Sequence, residues 1–193
     1  MDALILAGGE NKRFLSHKGL AEINGKRIID TISELLVKHF NNIFVSTNNP
    51  EKFYYLGFTM IGDILKYRGA MTGIFSTLVC TGTSEVFVTA CDMPFINPGL
   101  VSTIIEKYNG QDALIPVFKC RPQPLLGIYA GRIAGMMEER IIFKKRGMLD
   151  LLKEINVSYI DEDRISMVDP EGKSFVNINT VADLNKISGG PGC

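Results

Sequence analysis

Apolar positions recur along this chain in two rhythms. Short continuous runs at 2–7 (DALILA), 42–47 (NIFVST), 85–90 (EVFVTA), 112–118 (DALIPVF) and 125–130 (LLGIYA) have the length and β-branched content of strands buried on both faces. FTMIG at 58–62, VSYI at 157–160 and FVNI at 175–178 read as weaker strands. Between them the period changes to that of a helix. Ile28, Ile29, Ile32, Leu35, Leu36 and Phe40 predict an amphipathic helix over 26–40. Leu100, Val101, Ile104, Ile105 and Tyr108 predict another over 97–108. Further helices are expected over roughly 72–81, near 131–141 and 147–155, and over 180–187, where Thr180 and Asp183 have capping-box spacing.

Strands separated by helical segments imply a mostly parallel sheet with helices on both faces, a three-layer α/β/α Rossmann-like fold. In such sheets ligands sit beyond the carboxyl ends of the strands. That rule selects the loop after Ala7, the loop after Ala90 and the loop around Ile178.

Composition narrows the function classes. The 193 residues suit one domain, expected over 1–188 with a short flexible tail at 189–193. Lys plus Arg is 21 and Asp plus Glu is 21, a balance that argues against a general nucleic-acid or membrane-surface binder. The four cysteines show no CxxC spacing and there are two histidines, which argues against a zinc site. The first residues lack a signal-peptide pattern, and no apolar run reaches the roughly 18 residues of a membrane span. A cytoplasmic protein with reduced thiols is expected.

The loop AGGENKRFLSHK follows the first strand. Gly8 and Gly9 allow a close backbone approach and an anion-binding nest, with Arg13 and Lys18 adding charge-assisted hydrogen bonds to phosphate. A glycine turn followed by a solvated basic loop is the alternative. The spacing matches neither a Walker loop nor a dinucleotide fingerprint. In VTACDMPFINP, Asp92 leaves a buried strand before Pro94. It suits a Mg²⁺ ligand, or else a turn cap; Cys91 beside it reads as packing. Asn177 and Asn179 alternate with Val176 and Ile178, so both can face a substrate, or the stretch is a strand end before a helix cap. Arg121 and Gln123 in KCRPQPLLGIY form either a substrate rim or a surface turn. Lys144, Lys145 and Arg146 are a cationic run, either a solvated helix end or an anion contact.

In combination, LAGG with Arg13 and Lys18, then DMPF, then RPQPL, then NINT before a last helix, resembles the molybdenum cofactor guanylyltransferases, within the larger nucleotidyltransferase group. The resemblance runs from Leu4 to Leu184. It departs at Asn11, where the family usually has Ser, at Phe14-Leu15, usually Met-Gly, and at Val181, usually Pro. It implies transfer of GMP from GTP to molybdopterin or molybdenum-molybdopterin with release of pyrophosphate. On that resemblance Leu6, Ala7, Gly8 and Gly9 contact the nucleotide, and Arg13 and Lys18 hold its phosphates. Asp63 helps recognise the nucleotide, and Gly69 and Gly73 belong to a glycine-containing segment of the site. Asp92 binds Mg²⁺, and Arg121, Gln123, Asn177 and Asn179 lie toward the second substrate. Cofactor-delivery or acceptor proteins are implied as transient partners. A cytidylyltransferase or small-molecule guanylyltransferase of the same fold, and an inactive nucleotide-binding partner protein, remain alternatives.

Overall fold

The computed structural model describes residues 1–8 and 18–178, together with Thr180 and Asp183. Its first strand, β1 (Asp2–Leu6), leads through the segment 9–17 and a short 3₁₀ turn at Lys18–Leu20 into a tight hairpin, β2 (Glu22–Ile23) and β3 (Lys26–Arg27). Then follow α1 (Ile28–Leu36), β4 (Ile43–Ser46), β5 (Thr59–Ile61), α2 (Ala70–Thr81), β6 (Glu85–Ala90) and α3 (Pro98–Lys107). The second half contains β7 (Ala113–Phe118), β8 (Arg121–Pro122), β9 (Leu126–Ala130), α4 (Ala134–Ile142), α5 (Met148–Leu151), β10 (Val157–Ile160) and α6 (Glu162–Ser166).

The main sheet has the order β10-β7-β9-β6-β1-β4-β5, with β8 folded back on β7. β1 is parallel to both β6 and β4, β5 is parallel to β4, and β10 is parallel to β7. β9 runs antiparallel between β6 and β7. The carboxyl ends of β1, β4, β5, β6 and β7 therefore share one edge of the sheet.

Alternation along β1 separates the two hydrophobic layers. Ala3 and Ile5 face a cluster with Ile28, Ile29, Ile32 and Leu36 of α1 and Leu100, Val101 and Ile104 of α3. Leu4 and Leu6 face the other side, against Met71, Ile74, Phe75 and Leu78 of α2 and Met137 and Ile141 of α4. Both faces of the central strands are thus buried, which is why these strands read as unbroken apolar runs. Each fully buried Leu or Ile side chain contributes about 1.5–3 kcal/mol. The expected three-layer α/β/α architecture is the one found.

Several expected elements differ in detail. The helix expected over 26–40 spans Ile28–Leu36, because Asn24 (φ 52°) and Gly25 (φ 77°) turn the chain into the hairpin immediately before it. The helix near 147–155 is confined to Met148–Leu151. FVNI is not a strand: a 3₁₀ turn covers Lys173–Phe175, and Phe175 stacks on Phe118 at 4.7 Å between ring centroids. The capping box is present, with Thr180 N–H donating to Asp183 Oδ2 at 2.8 Å and Asp183 N–H to Thr180 Oγ1 at 3.1 Å. The rest of the helix expected over 180–187, and the tail 189–193, lie outside the described residues. Among the described residues no helix is long and apolar enough to cross a membrane.

Candidate active site

The described ends of the three segments selected by the sheet-edge rule are joined by backbone hydrogen bonds. Past β1 the ladder runs one residue further, with Ala7 N–H donating to the Ser46 carbonyl at 2.9 Å. The Leu6 carbonyl accepts from Cys91 N–H at 3.1 Å. Those backbone groups of Leu6 and Ala7 are engaged in the fold, and both side chains are buried. Gly8 is exposed and is where the chain leaves the sheet. Gly9, Arg13 and Asn179 lie outside the described residues, as does the side chain of Lys18.

The backbone of Lys18 is nonetheless located by its neighbour. Gly19 lies against Cys91, where an added Cβ would sit 3.2 Å from Cys91 Cβ. Lys18 therefore starts its 3₁₀ turn next to the Cys91-Asp92 pair at the end of β6. Cys91 is 6% exposed, the packing role expected of it. Asp92 is half-buried, and its carbonyl accepts from Ile178 N–H at 2.9 Å. That bond draws exposed Asn177 to the same loop. Asn97 anchors the approach of this late segment: its amide donates to the Val168 carbonyl at 2.8 Å, and its N–H donates to Ser174 Oγ at 2.9 Å.

At the β4–β5 end of the edge, Asp63 is held by a residue that the sequence reading passed over. Asn48 Nδ2 donates to Asp63 Oδ2 at 2.7 Å, and Asp63 N–H donates to Asn48 Oδ1 at 2.9 Å. Ile64 N–H donates to the buried Ser76 Oγ of α2 at 3.0 Å, fixing the loop from its other side. Partial burial pushes the Asp63 carboxyl above its ordinary pKa, opposed by the Asn48 hydrogen bond and the charge of Arg68. A signal for Asn48 was available, since STNN ends a buried strand at the ligand edge just as TACD does.

The first turn of α2 closes over the carboxyl ends of β1 and β4. Gly69 precedes it at φ 146°, a conformation that favours glycine. Gly73 is buried, and an added Cβ would fall 2.5 Å from Ser46 Oγ and 2.9 Å from Leu6 Cδ2. Its N–H is spent inside the helix on the Gly69 carbonyl at 3.0 Å. Gly73 therefore acts on the site by letting α2 approach the strands.

Arg121 and Gln123 lie on the opposite flank. Lys119 (φ 51°) and Cys120 (φ 57°) form the tight turn that folds β8 back along β7. Arg121 is exposed, while Gln123 is half-buried with its N–H on the Pro116 carbonyl at 2.9 Å. In the sheet order these groups form a row: Asp63 and Asn48, Gly8, Asp92 with Lys18 and Asn177, then Gln123 and Arg121. Adjacent strands are about 4.8 Å apart. The row thus offers a carboxylate, a backbone loop, a second carboxylate and a polar rim to one extended ligand pair.

Among the described residues no three His, Cys, Asp or Glu side chains gather as a metal cage. A strand-end carboxylate such as Asp92 is a donor of the type Mg²⁺ takes, since that ion uses one or two carboxylates and fills its remaining positions with water and phosphate oxygens.

Comparison with known proteins places this arrangement. A curated relative from Peptoclostridium acidaminophilum, a probable molybdenum cofactor guanylyltransferase, is 32% identical over 193 residues, covering 96% of this chain and 87% of its own. The molybdenum cofactor guanylyltransferase of Desulfosudis oleivorans is 29% identical over 191 residues, covering 96% and 95%. Among solved structures, the molybdopterin-guanine dinucleotide biosynthesis protein A of Archaeoglobus fulgidus superposes with a TM-score of 0.83 at 29% identity, covering 97% of both chains. Residues 3–158 match the model of the MobA-like NTP transferase domain, and this chain belongs to that nucleotidyltransferase family.

Proposed function

We propose that this chain is a molybdenum cofactor guanylyltransferase, moving GMP from GTP to molybdopterin or molybdenum-molybdopterin. The observation that carries this reading is the linear order of groups along the sheet edge, together with the names of its relatives. Asp63, braced by Asn48, lies at the end where a purine would be read: a carboxylate accepts from the ring N–H and exocyclic amine of guanine. Gly8 lies where the triphosphate would cross the end of β1, and Arg13 and Lys18 would supply its cations. Asp92 would hold Mg²⁺, which would act there as a Lewis acid and offset phosphate charge. Asn177, Asn179, Arg121 and Gln123 would face the acceptor.

The reaction forms one bond, from an acceptor phosphate oxygen to the α-phosphorus, and breaks one, from that phosphorus to the oxygen bridging to the β-phosphate. Pyrophosphate leaves. The acceptor oxygen is already ionised at neutral pH, so the protein need not supply a general base. Its residues position the two phosphates and stabilise the charge that grows on the leaving group.

Two measurements test this. Calorimetry should show GTP binding more tightly than CTP, ATP or UTP; a preference for CTP would reassign the base. Asp92→Asn should keep its melting temperature and lose most Mg²⁺-dependent transfer, because a neutral amide is a poor ligand for a hard cation while Asn caps turns nearly as well as Asp. An active Asp92→Asn enzyme would remove Asp92 from metal binding.

A further inference from the structure

Away from the row of strand ends, a cavity of about 380 Å³ opens between the carboxyl end of α4 and α5. That volume is near the lower end of the range for small-molecule sites, about 300–1,000 Å³. Arg140, Lys144, Lys145, Arg146 and Lys153 line it, with Asp150 and Glu154. Five cations against two carboxylates leave an excess of three positive charges in a protein whose Lys plus Arg equals its Asp plus Glu.

Both carboxylates are already taken. Lys153 Nζ lies 2.7 Å from Asp150 Oδ1, and Arg140 Nη1 lies 2.5 Å from Glu154 Oε1. Lys144, Lys145 and Arg146 have no ion pair among the described residues. Arg146 instead lies over the Tyr67 ring, 4.6 Å from its centroid, which steadies the guanidinium without neutralising it. Arg140 is 6% exposed, and its Nε has no hydrogen-bond partner among the described residues. Cations held this close repel one another, and the cost is relieved when an anion of two or more charges enters.

The cavity also faces the working edge of the sheet. β9 ends with Ala130 opposite Glu85, at the start of β6, so α4 climbs back toward the other edge. Tyr67, under Arg146, belongs to the connection from β5 to α2 that also carries Asp63. None of the residues lining this cavity belongs to the row of strand ends, yet the cavity opens at the same end of the molecule.

We propose that this cavity is a second phosphate-binding site, distinct from the nucleotide loop, that takes pyrophosphate or the phosphate end of an organic phosphomonoester. The excess charge, the buried arginine and the unpaired Lys144 and Lys145 carry the anion. The choice of phosphate rests on the nucleotidyl transfer proposed above.

Calorimetric titration of the full chain with inorganic pyrophosphate, and separately with phenyl phosphate, with and without saturating GTP, tests the site. Wild type should retain binding of one of these probes when GTP fills the nucleotide loop. Retention of pyrophosphate alone points to the leaving group, and retention of phenyl phosphate to the acceptor. The exposed double substitution Lys144→Ala/Lys145→Ala should weaken that GTP-insensitive binding by about tenfold or more and leave GTP affinity unchanged. Glu154→Gln should tighten it by adding one net positive charge. Absence of GTP-insensitive binding of both probes in wild type, equal binding by the double variant, or weaker binding by Glu154→Gln would overturn the inference. Failure of GTP itself to bind would instead sink the guanylyltransferase reading, and the titrations without GTP would still report on this cavity.

Discussion

Gly73→Ala tests whether the site depends on how closely α2 approaches the strands. The new methyl would sit 2.5 Å from Ser46 Oγ and 2.9 Å from Leu6 Cδ2. Carbon contacts settle at about 3.5–4.0 Å. Ser46 is 3% exposed and Leu6 7%, so neither side chain can swing into solvent. Overpacking of this kind costs about 1–3 kcal/mol. Alanine regains about 1 kcal/mol of helix propensity over glycine, which leaves a net loss of about 0–2 kcal/mol. At about 2–4 °C per kcal/mol for a chain of this size, the melting temperature should fall by up to about 8 °C. Because propensity can mask the clash, the decisive assay is a double-mutant cycle with Ser46→Ala. Removing Oγ takes away the closest clash, leaving Leu6 Cδ2 at 2.9 Å and Ser46 Cβ at 3.4 Å. The pair should therefore be less destabilised than the sum of the singles by at least about 0.5 kcal/mol. Additive melting data would refute the packing argument. The single variant should also raise KM for GTP, because α2 must shift off the ends of β1 and β4.

Asp63→Asn should melt at or above wild type at neutral pH. Burial raises the Asp63 pKa, so the ionised form costs stability; that cost is absent below the unfolded pKa and is fully felt once pH rises through the folded one. The same substitution should weaken GTP binding, and in wild type GTP affinity should begin to fall on acidification at a pH above the ordinary Asp value of about 3.9; affinity unchanged down to that pH would remove Asp63 from base recognition. Lys18→Ala should lower kcat by about 10²–10³-fold with a smaller effect on GTP binding, since charge on the leaving pyrophosphate is greatest in the transition state. Near wild-type turnover would leave Lys18 as a solvated loop residue.

The central fold was legible because the strands are buried on both faces: β1, β4, β6 and β7 announce themselves as apolar runs whatever the rest of the chain does. The missed pieces had local signals of a different kind. Asn24-Gly25 is a hairpin turn, but the isoleucines after it pulled the predicted helix back to residue 26. Only residues 119–125 separate β7 from β9, too short for a parallel crossover of a dozen or more residues, so the antiparallel strand was implied by length. FVNI alternates like a strand, yet Ile178 gives its N–H to the Asp92 loop and Phe175 stacks on Phe118, so its contacts are those of a strap across the strand ends. Asn48 escaped because its meaning lies in a partner 15 residues away, a pairing that single-sequence patterns do not encode.

The two ends of the row are built differently, and on the proposed function they would do different work. Asp63 is bound through its carboxylate and its N–H to one asparagine, and its neighbour is tied to α2 through Ser76. On the proposed function this group lies away from the reacting phosphorus, where no charge develops, so it would contact ground state and transition state alike and would set affinity and base choice. The phosphate end rests on the turn beginning at Lys18 and on the loop at Asp92, which are joined to the sheet by Gly19 packing on Cys91 and by the Cys91–Leu6 bond. Charge moves at that end during reaction, so substitutions there should appear in kcat. The packing on Cys91 couples the two phosphate-end loops: a larger residue at position 19 would push the Lys18 turn away from Asp92 and should lower turnover while sparing the Asp63–Asn48 end.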